Sequence, residues 1–136
     1  MHFEYTIIEN DFANAGTASS AIKKTLKQLN IDSAKIKRVV VAVYEAEVNA
    51  IAHAYGGTIY VDIDGEQIVV RIADKGPGIP DVALAMQEGY STASPKVREM
   101  GFGAGMGLPN IKNNVDKLDI KTEINVGTEI TMAVKF

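Results

Sequence analysis

The sequence of 136 residues contains no cysteine and only two histidines. The absence of cysteine excludes disulfide bonds, zinc–thiolate sites, iron–sulfur clusters and a thiol nucleophile. With two histidines in the whole chain, a histidine-rich metal site is not expected either.

The chain also lacks the features of an exported or membrane-spanning protein. Its first ten residues, MHFEYTIIEN, do not place a basic region before an apolar core, and no apolar stretch approaches the ~20 residues that cross a bilayer. Fourteen basic and seventeen acidic residues give a formal charge of −3, so no general attraction to nucleic acids or anionic membranes is expected. We therefore expect a cytoplasmic protein with no nucleic-acid or membrane partner, while protein partners remain open.

What the sequence does contain is typical of one globular domain. Apolar residues make up 46% and charged residues 23% of the chain, which is too apolar for a disordered segment. The length lies near the mode for single domains. We predict one domain over residues 1–136 with one hydrophobic core.

The hydrophobic pattern predicts strands, mostly in hairpins, and helices in one order along the chain. The predicted elements are a strand at Phe3–Ile8, helices at Asp11–Asn30 and Ala34–Tyr55, a hairpin of Thr58–Asp64 and Glu66–Ala73, a short helix at Asp81–Glu88, an irregular segment at Gly89–Gly107, a helix at Leu108–Leu118, and a hairpin of Asp119–Ile124 and Thr128–Phe136. Because the strands do not alternate singly with helices, this order favours a two-layer α/β sandwich. Its sheet would be mixed and mostly antiparallel, with helices on one face.

The predicted helix Ala34–Tyr55 is apolar on nearly all sides, yet it carries Glu45, Asn49 and His53 at intervals of four residues. This spacing places the three polar side chains on one stripe. The stripe could face a ligand, with Glu45 as a base and Asn49 as an oxygen ligand of Mg²⁺. It could equally be a solvated strip or a satisfied polar network. Glu47 falls beside the apolar positions, and the sequence offers no physical account of it.

Two further segments combine glycine with chemistry-bearing neighbours. Asp74–Pro80, DKGPGIP, follows a predicted strand, and Asp74 could accept a hydrogen bond from an exocyclic amine, although an ordinary turn would have the same composition. Gly101–Gly107 has glycine at every second position before a helix, which suits an anion such as phosphate or simply a flexible hinge. The pattern matches neither a Walker A loop nor the dinucleotide-binding fingerprint, and the protein-kinase motifs are absent.

Taken together, the three segments resemble the GHKL ATPase family, which includes gyrase, Hsp90, histidine kinases and MutL. Glu45–Asn49 resembles its N box, Asp74–Gly78 its G1 box and Gly101–Gly107 its G2 box, and 80–102 would contain the ATP lid. The resemblance spans nearly the whole chain and implies the Bergerat ATP-binding fold. Within the family, the short chain is most similar to the small serine/threonine kinases of bacterial partner-switching systems, of the stressosome switch and anti-sigma-factor types.

The resemblance also implies roles for individual residues, with ATP and Mg²⁺ as cofactors. Glu45 would be the catalytic base, Asn49 would coordinate Mg²⁺, and Asp74 would bind the adenine amino group with Thr128 nearby through water. The nucleotide-binding positions implied in this way are Asn49, His53, Asp74, Gly76, Gly78, Ile79, Ser91, Thr92, Gly101, Gly103, Gly105, Met106, Gly107, Leu108 and Thr128.

The leading functional hypothesis is a protein serine/threonine kinase that regulates a sigma factor by phosphorylating a STAS-domain antagonist. The expected partner is an anti-anti-sigma or stressosome-like protein, and a sigma factor or a phosphatase is a further candidate. The alternatives are an anti-sigma factor that sequesters a sigma subunit, a non-catalytic ATP-gated interaction module, and a structural domain with coincidental loops. The sequence leaves both a monomer and a homodimer open.

Overall fold

A computed structural model describes residues 1–87 and 107–136 of the chain. Within them, five strands form one sheet in the order β1-β2-β3-β5-β4, and every pairing is antiparallel. The strands are β1 (His2–Ile8), β2 (Gly56–Ile63), β3 (Gln67–Lys75), β4 (Lys117–Glu123) and β5 (Gly127–Lys135). The predicted α/β sandwich is thus confirmed.

The helices are α1 (Thr17–Gln28), α2 (Ser33–His53), the short α3 (Val82–Ala85) and α4 (Gly107–Asn114). Helix α2 is central, since it packs between α1 and α4 and lies against β1, β2, β3 and β5. Alternate side chains of the strands, such as Ile59 and Val61 of β2 and Val70 of β3, are buried in one core with these helices. None of the described helices has both the length and the apolar character needed to cross a membrane.

The predicted first helix, Asp11–Asn30, is wrong at its beginning. A short 3₁₀ turn at Phe12–Asn14 comes first, and α1 begins only at Thr17. Gly16 separates the two with a φ of +94°, a left-handed conformation that interrupts an α-helix. Phe12 and Ala15 continue the helical spacing of apolar residues towards the N-terminus, although the backbone helix is interrupted at Gly16.

The predicted ends of two other helices are also wrong, because the backbone leaves the helical conformation before each predicted end. Helix α2 ends at His53, and Gly56 already pairs with Ile8 of β1. Helix α4 ends at Asn114, four residues before its predicted end, and Leu118 pairs with Met132 of β5.

Candidate functional site

The polar stripe of α2 lies at the boundary between core and solvent. Glu45, Asn49 and His53 are each partly buried, whereas their neighbours Ala46, Ala50 and Ala54 are fully buried. Burial lowers the pKa of His53, which favours the neutral imidazole. Eight residues of helix separate Glu45 from His53, so the stripe is about 12 Å long.

Glu45, at one end of the stripe, faces the beginning of α4. The side-chain amide of Asn110 donates a hydrogen bond to Glu45 Oε1 at 3.2 Å. A Cβ atom built on Gly107 would lie 3.7 Å from Glu45 Oε2. The residue that closes the glycine-rich segment therefore lies beside the predicted catalytic carboxylate. Sequence reasoning missed Asn110, although its place three residues after Gly107 on a predicted helix was a usable signal.

The other end of the stripe is held against the turn that follows β3. Gly76 is buried, and a Cβ atom there would lie 3.1 Å from Cα of Ala54, the residue that follows α2. The backbone N–H of Tyr55 donates to the carbonyl of Lys75 at 2.7 Å. These two contacts show that the end of α2 lies next to the end of β3, where Asp74 lies.

Asp74 is partly buried and lies opposite Thr128 in the β3–β5 pairing. Its Oδ1 accepts the backbone N–H of Thr128 at 3.0 Å. Burial raises the pKa of Asp74 above its usual value, and the hydrogen bond from Thr128 opposes that shift in part. Within the described residues no hydrogen bond reaches Oδ2, so one carboxylate oxygen remains as an acceptor for a ligand.

The rest of the turn after β3 is fastened to the β4–β5 hairpin. Gly78 has a φ of +79°, and a Cβ atom there would lie 2.6 Å from the carbonyl oxygen of Glu123. The backbone N–H of Ile79 donates to Thr122 Oγ1 at 2.8 Å, and Thr122 Oγ1 lies 2.9 Å from Thr128 Oγ1. Glycine at position 78 is thus explained by contacts within the chain, and Thr122 is a site residue that sequence reasoning missed.

Glu47, unexplained at the sequence level, has a clear place in the structure. It is only 4% exposed, and its carboxylate accepts the backbone N–H groups of Ala18 at 3.2 Å and Ser19 at 3.4 Å. These donors belong to the first turn of α1, where a helix leaves N–H groups without internal partners. Burial raises the pKa of Glu47, and the hydrogen bonds from α1 offset only part of the shift.

The remaining predicted site residues divide into two groups. Gly107 begins α4, while the Leu108 side chain is 7% exposed in the hydrophobic core, so Leu108 could meet a nucleotide only through its backbone. The predicted positions Ser91, Thr92, Gly101, Gly103, Gly105 and Met106 lie outside the described residues.

The described residues fit an adenine nucleotide with Mg²⁺. Asp74 offers an acceptor for an exocyclic amine at one end of the stripe, and Asn49 offers an amide oxygen further along it. No cluster of three histidine or acidic side chains suited to a metal occurs in residues 1–87 or 107–136. A site with one protein oxygen suits Mg²⁺, which commonly takes its other ligands from phosphates and water.

A family model for the histidine kinase-like ATPase domain matches residues 8–134. The chain belongs to this family, and the GHKL resemblance is confirmed. The family match, together with the fold, identifies the chain as an ATPase domain.

Among curated proteins, the chain is similar to the anti-sigma F factor of Clostridium acetobutylicum, with 33% identity over 94% of this chain and 87% of that protein. It is also similar to the serine/threonine-protein kinase RsbT of Bacillus subtilis, with 28% identity over 84% of this chain and 82% of that protein.

Solved structures agree on the fold. The RsbU and RsbW domains of Rv1364c from Mycobacterium tuberculosis match with a TM-score of 0.66 at 16% identity, over 98% of this chain and 32% of that chain. The mycobacterial sensor histidine kinase MprB matches with a TM-score of 0.57 at 18% identity, over 99% of this chain and 97% of that chain.

Proposed function

We propose that this chain is an ATP-dependent protein serine/threonine kinase of a bacterial partner-switching system, acting in the cytoplasm on a STAS-domain antagonist of a sigma-factor regulator. The observation that carries the proposal is the contact between Glu45 and the beginning of α4. This contact places the Glu45 carboxylate beside the residue that closes the glycine-rich segment. Asn49 lies one helical turn further along α2. The similarity to a serine/threonine-protein kinase supports the same activity.

Each residue of the stripe would have a separate task. Bound ATP would supply the phosphoryl group, and Mg²⁺ would neutralise its developing charge. Asn49 would hold the metal through its amide oxygen. Glu45 would accept the proton of the attacking serine or threonine hydroxyl, and Asn110 would keep the Glu45 carboxylate oriented through its 3.2 Å hydrogen bond.

Asp74 would select the base. Its Oδ1 is occupied by the backbone N–H of Thr128, so Oδ2 is the atom left to accept the adenine amino group. Recognition by a partly buried acceptor is selective, because a base that presents a carbonyl there would leave two acceptors facing each other without a hydrogen.

The test is phosphotransfer from γ-labelled Mg-ATP into cleared lysate of the source organism. Wild type, Glu45→Ala and, as a matched control, Glu66→Ala at an exposed turn position would be compared. We expect a labelled band near the size of a STAS-domain protein with wild type and Glu66→Ala, and none with Glu45→Ala. Glu45→Ala should still bind ATP, because Glu45 lies away from Asp74. Equal labelling by wild type and Glu45→Ala would contradict the role of Glu45.

A second candidate is an anti-sigma factor that works mainly by sequestering a sigma subunit. The names of several relatives at about 30% identity favour it. Co-purification of a sigma factor with the tagged chain, together with absent phosphotransfer, would select this candidate. ATP binding with neither transfer nor a bound sigma factor would indicate a non-catalytic, ATP-gated module.

A further inference from the structure

Thr122 joins three segments around the proposed base pocket. It lies on β4, directly opposite Thr128 in the β4–β5 pairing. Its Oγ1 accepts the backbone N–H of Ile79 at 2.8 Å and lies 2.9 Å from Thr128 Oγ1 and 3.3 Å from the carbonyl oxygen of Gly127. One hydroxyl therefore contacts the turn after β3, the beginning of β5 and the Thr128 side chain.

The hydrogen-bonding capacity of this hydroxyl limits what Thr128 can offer a ligand. A threonine hydroxyl has one hydrogen to donate and two lone pairs that accept. If Thr122 donates to Gly127, the Thr128 hydroxyl uses its own hydrogen on Thr122. If Thr122 donates to Thr128, the Thr128 hydrogen is free to point at a ligand or a bridging water.

The Thr122 hydroxyl and the Asp74 carboxylate both bind Thr128. Asp74 Oδ1 holds the Thr128 backbone, and Thr122 holds the Thr128 side chain. Through the Ile79 N–H, Thr122 also fixes the turn that carries Gly76 and Gly78. Removing the Thr122 hydroxyl would loosen both the turn after β3 and the Thr128 hydroxyl. The Asp74 carboxylate would keep its own hydrogen bond to the Thr128 backbone.

We propose that Thr122 is a positioning residue that orients the Thr128 hydroxyl and the Ile79 backbone for adenine, and that it thereby contributes to selection of adenine over guanine nucleotides. Adenine presents an amino donor and an adjacent ring-nitrogen acceptor, whereas guanine presents a carbonyl acceptor and a ring N–H donor at the corresponding positions. When Thr122 donates to Thr128, the acceptor at Asp74 lies beside a free donor at Thr128, and this pair fits only the first arrangement. This inference rests on the proposed ATP site but not on phosphotransfer.

The test is calorimetric titration of the full chain with ADP and with GDP. The variants are Thr122→Val, which removes the hydroxyl at nearly constant shape, and Thr122→Ser, which retains it. Thr131→Val is the matched control, because the Thr131 side chain lies on the face of the sheet opposite to that of Thr128. We expect Thr122→Val to bind ADP about 5- to 10-fold more weakly, as for a lost hydrogen bond at a partly buried site, and to show a smaller ADP-to-GDP preference. Thr122→Ser and Thr131→Val should bind as wild type does.

The outcomes separate this inference from the proposed function. Unchanged ADP affinity and selectivity in Thr122→Val, or an equal loss in Thr122→Ser, would overturn it. An equal loss of affinity for ADP and for GDP would show that Thr122 has only a structural role, and this result would also overturn the inference. If Thr122→Val melts below the assay temperature, the titrations of all variants are made at a lower temperature, at which Thr122→Val is folded.

Failure of wild type to prefer ADP would overturn the inference together with the nucleotide assignment. Selective ADP binding without any phosphotransfer would leave the Thr122 inference standing and remove only the kinase proposal.

Discussion

Replacing Glu47 by alanine would remove the carboxylate that joins α2 to the beginning of α1. The change leaves the backbone N–H groups of Ala18 and Ser19 buried without their acceptor. It also leaves a space in a region where the native side chain is 4% exposed. We therefore expect a large loss of stability from this one substitution.

The size of the loss follows from the two hydrogen bonds. Each buried N–H left without a partner costs about 1–3 kcal/mol. Removing Glu47 also removes the cost of burying its carboxylate, which offsets part of this loss. We expect Glu47→Ala to lower the free energy of unfolding by about 2–4 kcal/mol, a substantial share of the roughly 5–15 kcal/mol of a typical domain. Glu47→Gln retains one carbonyl acceptor and should lose about 1–2 kcal/mol.

Urea unfolding followed by circular dichroism measures these differences. Glu9→Ala is the matched control, because Glu9 is exposed, and its effect should lie within about 0.5 kcal/mol. A loss below 1 kcal/mol in Glu47→Ala would refute the argument from unsatisfied donors. Equal losses in the glutamine and alanine variants would show that the remaining acceptor contributes nothing.

The pH dependence of Glu47 gives an independent check with a definite sign. Burial raises its pKa in the folded state, so folding favours the protonated form. The stability gained from this shift is fully present below the ordinary pKa of glutamate and is lost as the pH rises through the raised folded pKa. The advantage of wild type over Glu47→Gln should therefore shrink as the pH rises. An advantage that grows with pH would show that the N–H groups of α1 outweigh burial.

The remaining predictions concern the site and the turn beside it. Gly78→Ala should lower stability by about 1–3 kcal/mol, because position 78 has a positive φ and a Cβ atom would meet the Glu123 carbonyl at 2.6 Å; unchanged urea unfolding would contradict this. Asn110→Ala should reduce phosphotransfer about tenfold while leaving ADP affinity unchanged, since it releases only the Glu45 carboxylate. Asp74→Asn should keep its melting temperature but bind ADP at least tenfold more weakly in calorimetry, because an amide donor would face the adenine amine; equal affinity would refute the adenine assignment.

Several features of this protein follow from the sequence alone because their causes are local. Helical spacing places Glu45, Asn49 and His53 on one stripe wherever the helix lies. Aspartate and glycine at 64–65 predict the hairpin between β2 and β3, and there Asp64 accepts the backbone N–H groups of Glu66 and Gln67. The order of the motifs was sufficient to indicate the family, since a motif depends on residues close together in the chain.

Other features required the tertiary structure because their partners are far apart in the sequence. The strand order β1-β2-β3-β5-β4 sets β5 beside β3, and this pairing brings Thr128 to Asp74 across 54 residues. Glu47 gains its partners only when α1 packs on α2. Hydrophobic periodicity shows which face of an element is buried but not which element covers it. Helix packing therefore decided that Glu47 accepts hydrogen bonds from the first turn of α1. Strand register decided that the Thr122 hydroxyl meets the Thr128 hydroxyl.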